Sequence, residues 1–314
     1  MFNKEIKKIF LTGGSGMVGR NILESPISEK YEVIAPNRSE LDLLNSSDVY
    51  NYIEQNNPSL IIHAAGKVGG IKANMGNNYN FYKENLEIGN NIIFAAKNHN
   101  VLNFLNLGSS CMYPREALQP MKEDNLMAGK LESTNEGYAM AKVAIAKLCE
   151  YISEFDIKFN YRTLIPCNLY GKYDKFDSKN SHMIPSVIRR MHDAKENNSK
   201  ISMWGNGDAR REFMHISDFI NFIDYALTNF SKLPQYLNVG IGKDYSIKEY
   251  YNNIAKVLDY KNEIFADTSE PIGMPRKQVE VSKLNDFGWQ SSISIYEGLK
   301  ETYAYYRSID NEKI

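Results

Sequence analysis

The chain is poor in cysteine: Cys111, Cys149 and Cys167 are the only three in 314 residues. Three thiols cannot all pair, and their spacing matches no metal-ligand pattern, so no metal is expected and a reducing cytoplasm is the expected compartment. Net charge is also small. The 37 Lys and Arg against 38 Asp and Glu leave −1 at pH 7, which offers no broad field for nucleic acid or an anionic membrane. No apolar run approaches the ~20 residues that span a bilayer. The N-terminus, Met1-Phe2-Asn3-Lys4-Glu5-Ile6-Lys7-Lys8, runs into a strand-like segment without the apolar core of a signal peptide. What remains is ordinary globular composition, 43% hydrophobic and 24% charged, in one large domain or two closely joined ones.

Short apolar runs alternate with amphipathic segments through the first half, the pattern of a parallel sheet flanked by helices. Strands are expected at 8–12, 32–35, 60–64, 104–107 and 161–165, and helices at 17–25, 46–55, 80–98 and 136–154. After Pro166 the sequence turns loop-rich, polar and aromatic, with Pro185 opening a basic helix and a strand-like Ile201-Ser202-Met203-Trp204. A helix at 217–229 and a strand at 236–239 then resemble the first half again. The expected fold is therefore α/β: a doubly wound parallel sheet (Rossmann) over 1–171 with a return segment at about 215–241. The remainder of 172–314 forms a smaller mixed α/β substrate-binding domain.

Thr12-Gly13-Gly14-Ser15-Gly16-Met17-Val18-Gly19 follows the first strand and opens the first helix. Glycines at 13, 16 and 19 permit a tight turn, let a pyrophosphate approach the backbone and pack helix against strand. A glycine triplet alone is a weak signal, but the flanking strand and helix make this one a dinucleotide site with Gly13, Gly16, Met17, Val18 and Gly19 in contact. At the end of the second strand, Pro36-Asn37-Arg38-Ser39 lacks the acidic residue that would hold the ribose 2′-hydroxyl of NAD. Arg38 suits the 2′-phosphate of NADP(H); the alternative is a solvated loop arginine. Asp42 and Leu43 are expected near the adenine, and Ala64 and Ala65 beside the cofactor.

Tyr138 and Lys142 stand four residues apart, about one helical turn, and so share a helix face. A neighbouring ammonium favours phenolate and is expected to lower a tyrosine pKa from its usual ~10, making the phenol a usable proton donor or acceptor. Tyr-x-x-x-Lys by itself is more often a surface pair; its place after a dinucleotide-binding half reverses that reading. Ser109, at the end of the fourth strand, stands where α/β sheets place ligands and can share a carbonyl oxygen with Tyr138.

With these residues in place, the chain resembles the extended short-chain dehydrogenases/reductases and, within them, the GDP-L-fucose synthase family. The resemblance covers nearly the whole chain. It rests on Gly13–Gly19, Lys67-Val68-Gly69-Gly70-Ile71, Gly108-Ser109-Ser110-Cys111-Met112-Tyr113-Pro114, Asn135-Glu136-Gly137-Tyr138 with Lys142, Asn168-Leu169-Tyr170-Gly171, Asn180-Ser181-His182-Met183-Ile184-Pro185, Trp204-Gly205 with Arg211-Glu212-Phe213, and Pro275-Arg276-Lys277. It implies NADPH-dependent reduction of the C4 ketone of a GDP-linked 4-keto-6-deoxy sugar by Ser109, Tyr138 and Lys142. Cys111 and His182 are implied as the acid/base pair for inversion at C3 and C5, with His182 also near the cofactor. Ser110, Asn168, Trp204, Arg211 and Lys277 are implied as substrate contacts, and a homodimer through helices 80–98 and 136–154 as the assembly.

The chemistry is coherent, because a 4-ketone acidifies both flanking C–H bonds and a thiol and an imidazole exchange protons near neutrality. Taken alone, Cys111 reads as an ordinary buried cysteine and His182 as a loop histidine; the matching motifs move both into the site. Sugar-nucleotide 4,6-dehydratases need an Asp-Glu pair where this chain has Ser110-Cys111, and a UDP-hexose 4-epimerase needs neither Cys111 nor His182. A non-catalytic dinucleotide sensor would be expected to lose Tyr138 or Lys142. Two departures stand out: Gly14-Ser15 where the family often has an arginine, and the Asp174-Lys175-Phe176-Asp177 loop. They leave open a hexose or a heptose, and reduction with or without epimerisation.

Overall fold

A computed structural model describes residues 5–70, 74–177, 181–269 and 274–311. Ile71 and Asn180 of the motifs above lie outside the described residues. The strands are β1 (Lys8–Thr12), β2 (Glu32–Ile34), β3 (Leu60–His63), β4 (Asn103–Leu107), β5 (Asn160–Pro166), β6 (Asn168–Tyr170), β7 (Ile201–Trp204), β8 (Arg210–Arg211), β9 (Phe213–His215), β10 (Tyr236–Val239), β11 (Tyr245–Ser246), β12 (Ile264–Asp267) and β13 (Arg276–Lys277). Six of them make one sheet in the order β10-β5-β4-β3-β1-β2, every pair parallel. This is the Rossmann-like α/β sheet expected from the alternation of elements, and the late strand β10 joins its edge beside β5.

Alternation along these strands explains why both faces are covered. Ile9, Leu11, Leu60, Ile62, Leu105 and Leu107 point to one layer, which also holds Ile22 and the apolar side of helix Ile216–Thr228. Phe10, Ile61 and Phe104 point to the other, against helices Ser46–Asn56, Asn78–Asn98 and Glu136–Phe155. The last two helices are neighbours. A Cβ on Gly89 would lie 2.1 Å from Ile145 Cδ1, and one on Gly137 would lie 2.1 Å from the Asn78 carbonyl oxygen. Glycine is what lets them approach.

A second cluster gathers Tyr170, Phe176, Ile184, Val187, Ile188, Met191, Tyr250, Ile254, Leu258 and Tyr306 around helices Met183–Glu196, Ile247–Leu258 and Ile295–Asn311. Among the described residues, three small sheets accompany it: β12-β7, β6-β9 and β11-β8-β13. In the last, Arg211 is the direct partner of Lys277 and Arg210 of Arg276, in parallel register. Among the described residues, no helix is long and apolar enough to cross a membrane.

Candidate active site

The glycine turn is built by close approach. Gly13 has φ +75, its carbonyl accepts the Gly16 N–H at 3.0 Å, and a Cβ on it would lie 2.8 Å from Ala65 Cα. A Cβ on Gly19 would lie 2.2 Å from the Gly13 oxygen. Helix Met17–Leu23 starts behind Gly16 with no side chain capping its first N–H groups, which leaves those donors open. Met17, Val18 and Ala64 are partly buried against the main core, Leu43 against the core on the opposite face, and the Ala65 N–H donates to Thr12 Oγ1 at 3.2 Å. Arg38 is exposed. Glu40, its only acidic neighbour in sequence reach, instead accepts the Asn37 N–H at 2.7 Å. Asp42 is exposed and accepts the Leu44 N–H at 3.1 Å.

The chain after β4 turns into a short 3₁₀ segment, Ser110–Met112, capped by the Ser109 side chain, which accepts the Cys111 N–H at 3.2 Å. Tyr113 anchors that turn: its hydroxyl donates to Asn238 Oδ1 on β10 at 2.6 Å, and Asn238 Nδ2 donates to the Met121 carbonyl at 2.9 Å. Ser110 is buried beneath. From the facing helix, Lys142 is 7% exposed and donates to the Leu107 carbonyl at 2.9 Å. Burial pushes its pKa down to about 8. Its ammonium lies 6.0 Å from the Tyr138 ring centre.

Tyr138 departs from expectation. Its pKa is raised, not lowered: burial dominates, the nearby Cys111 adds to it, and a hydrogen bond with Ser109 only partly offsets them. The Lys142 ammonium donates to the Leu107 carbonyl and lies 6.0 Å from the phenol ring centre. The phenol therefore holds its proton through neutral pH.

Cys111 moves the other way. Burial pushes the thiol up, but the Lys277 ammonium and hydrogen bonds from Ser109, Lys277 and Asn135 bring it net below its usual value. Lys277 Nζ and Asn135 Nδ2 each donate to the sulfur at 3.2 Å. The Arg211 guanidinium, largely desolvated, also feels the charges of Cys111 and Glu132. His182 stands at the N-cap of helix Met183–Glu196; desolvation, then Lys277 and Lys175, lower its pKa and keep the imidazole neutral.

Ser109, Cys111, Tyr138, Arg211 and Lys277 thus meet at one end of β4, with His182 within the field of Lys277. Asn168 is turned partly inward, its Nδ2 donating to the Glu212 carbonyl at 2.8 Å. Trp204 ends β7 with 36% of its surface exposed, in a different sheet from Arg211 and Lys277. Sequence reasoning missed Asn135 and Glu132 as site residues. Asn135 sits inside the run that carries Tyr138, but nothing in its spacing points at Cys111.

Comparisons with known proteins concern the chain as a whole. Residues 9–242 match the model described as the NAD dependent epimerase/dehydratase family. A GDP-L-colitose synthase of Yersinia pseudotuberculosis is 50% identical over 305 residues, 97% of this chain and 99% of the relative. A GDP-L-fucose synthase of Escherichia coli (strain K12) is 39% identical over 311 residues, 96% of each chain. The solved structure of a GDP-mannoheptose C4 reductase from Campylobacter jejuni with NADP bound superposes with a TM-score of 0.86 at 31% identity, covering 97% of this chain and 99% of that one.

Proposed function

The chain belongs to the NAD dependent epimerase/dehydratase family, and on that premise we propose that it is an NADP-dependent oxidoreductase that reduces the C4 ketone of a GDP-linked 4-keto-6-deoxy sugar, after inversion at C3 and C5. The observation that carries the reading is a thiol of depressed pKa held by Lys277 and Asn135 in the same cleft as a protonated Tyr138 and the Ser109 hydroxyl.

The residues fit NADPH. The uncapped start of helix Met17–Leu23 suits a pyrophosphate, and Arg38, whose acidic neighbour is engaged elsewhere, suits a 2′-phosphate. Bound there, the cofactor supplies a hydride. Ser109 donates a hydrogen bond to the C4 oxygen, and Tyr138 delivers the proton that turns it into a hydroxyl. A phenol whose pKa is raised suits this direction, since it must arrive protonated. One of the pair Cys111 and His182 removes a proton from a carbon flanking the ketone, giving the enolate, and the other returns a proton from the opposite face; with Cys111 as the acceptor, His182 takes up a proton from solvent before it donates. Arg211 and Lys277, side by side across β8 and β13, form a dication suited to a diphosphate. The sugar nucleotide lies between the Rossmann part, 1–171 with 215–241, and the remainder.

Of the sugars in the relatives' names, colitose belongs to the relative at 50% identity and fucose to those at 42% and 39%; a 3,6-dideoxy product such as colitose has no stereocentre at C3, so with that sugar the inversion is at C5 alone. The test is NADPH oxidation on mixing with GDP-4-keto-6-deoxymannose and with other GDP-4-keto sugars, with products read by NMR in deuterated solvent. Deuterium at C3 or C5 reports inversion directly, and Cys111→Ser should abolish it while reduction of the unepimerised ketone persists. Oxidation with no deuterium leaves reduction alone; no oxidation with any of these substrates ends the proposal. We further propose a cytoplasmic homodimer through helices Asn78–Asn98 and Glu136–Phe155, whose outer sides leave Tyr79, Phe94, Met140 and Tyr151 exposed. A monomer at micromolar concentration in sedimentation would sink the dimer without touching the fold.

A further inference from the structure

Glu212 is fully buried and has no surface in the cleft. Its Oε1 accepts the N–H groups of Ile241 at 2.7 Å and Gly242 at 2.8 Å, and its Oε2 accepts that of Val279 at 2.7 Å. Burial nevertheless outweighs these three donors and raises its pKa to about 7. A carboxyl kept in such a place needs an explanation beyond cohesion, because a buried charge is costly to hold.

The explanation lies in what the residue brackets. Its own N–H donates to the Lys277 carbonyl at 3.2 Å, while its side chain holds Val279, two residues further on. Both ends of the segment that carries Lys277 are therefore fixed by one residue. Lys277 in turn reaches the Cys111 sulfur at 3.2 Å. We propose that Glu212 is a positioning residue that sets the Lys277 ammonium against the Cys111 sulfur and so favours the anionic, proton-accepting form of that sulfur. The inference deepens the role given to Cys111 above and rests on it, yet its test needs no turnover.

Other groups face the same sulfur. Arg211 on β8 reinforces Lys277, and Asn135 donates at 3.2 Å. Tyr138 is neutral through this range. At one remove, Glu132 faces Arg211, and His182 and Lys175 share the field around Lys277. Lys277 is the cation that reaches hydrogen-bond distance of the thiol among the described residues, which makes its placement decisive.

The measurement is the rate at which iodoacetamide alkylates Cys111 in the full apoprotein, followed by peptide mass spectrometry across a pH series. Cys149 and Cys167 are buried with thiols pushed up, and serve as slow internal references. Only thiolate reacts, so the midpoint of the profile reports ionisation and the high-pH plateau reports access. Lys277→Met should move the midpoint upward and slow alkylation at pH 7 about ten-fold. Glu212→Gln should move it in the same direction by less. Its amide oxygen can still serve Ile241 and Gly242, but its NH₂ group then faces the Val279 N–H and cannot accept it. Gly240→Ala is a second perturbation, because the new Cβ would lie 2.4 Å from Glu212 Oε1.

A changed plateau with an unmoved midpoint in a folded Glu212→Gln or Gly240→Ala protein means altered packing only, and overturns the proposal. So does an unmoved midpoint in Lys277→Met, which removes the ammonium outright. An upward shift in all three supports it. If deuterium incorporation is absent while these shifts appear, the epimerase reading falls and the positioning role stands.

Discussion

Lys142→Met separates the electrostatic cost of the triad lysine from everything else the residue does. Burial drops the lysine from its ordinary 10.5 to about 8 in the folded protein. The unfolded chain holds that proton until its ordinary value, so between the two the unfolded chain binds more protons and stability rises with pH. At about 1.4 kcal/mol per pH unit, this one group should stabilise the wild type by about 2 kcal/mol between pH 7 and pH 9.5. Methionine fills much the same space without titrating. It also forfeits the bond to the Leu107 carbonyl, roughly 1 kcal/mol, but that loss is the same at both pH values and cancels in the difference. His63, the titrating group beside it, is lowered to about 3 by burial and then Lys142, so it is neutral in the fold throughout, and its titration in the unfolded chain is common to both proteins. Urea unfolding of the two apoproteins at pH 7 and 9.5 should show the wild type gaining on the variant by about 2 kcal/mol. A gap that does not change with pH would refute burial as the source of the shift.

Three further outcomes are expected. Tyr138→Phe should lower turnover by about 10²- to 10⁴-fold while NADPH binding, read by fluorescence titration, is largely kept, because the ring stays and only the proton source is lost; wild-type turnover ends the triad assignment. Arg38→Ala should weaken NADPH on the order of ten-fold and leave NADH unchanged, as a lost charge-assisted contact to a 2′-phosphate demands. Equal affinity of the wild type for the two cofactors defeats that reading. Gly89→Ala should cost about 1–3 kcal/mol in thermal or urea unfolding, because its new methyl would lie 2.1 Å from Ile145 Cδ1 between the two long helices; an unchanged transition means those helices have more room than their packing shows.

Much of the large sheet could be read in advance because its signals are local. Each strand between Lys8 and Pro166 that joins it carries a short apolar stretch, and the glycine turn sits directly between one strand and one helix. Tyr138 and Lys142 share a helix face by spacing alone. What spacing could not supply was the environment of each. The lysine was read as a cation acting on the phenol, whereas burial acts on both groups and sends the tyrosine up and the lysine down. Sequence distance gives the neighbour; only packing gives the dielectric.

The basic half of the cleft was harder still, for a reason visible in the β11-β8-β13 sheet. Each of its strands is two residues long, too short for any period, and the partners come from distant parts of the chain. Arg210 and Arg211 are adjacent in sequence and look equivalent, as do Arg276 and Lys277. The pleat makes them different, because successive side chains leave a strand on opposite faces. Arg210 and Arg276 both turn to the buried Asp244, whose carboxyl they hold below its usual range despite its burial. That spent face fixes the register. The register then obliges Arg211 and Lys277 to stand together on the other face, where the sulfur of Cys111 lies within 3.2 Å of the lysine. A structural ion cluster on one side of a two-residue ladder thereby determines a chemical one on the other, and a one-residue slip would exchange them.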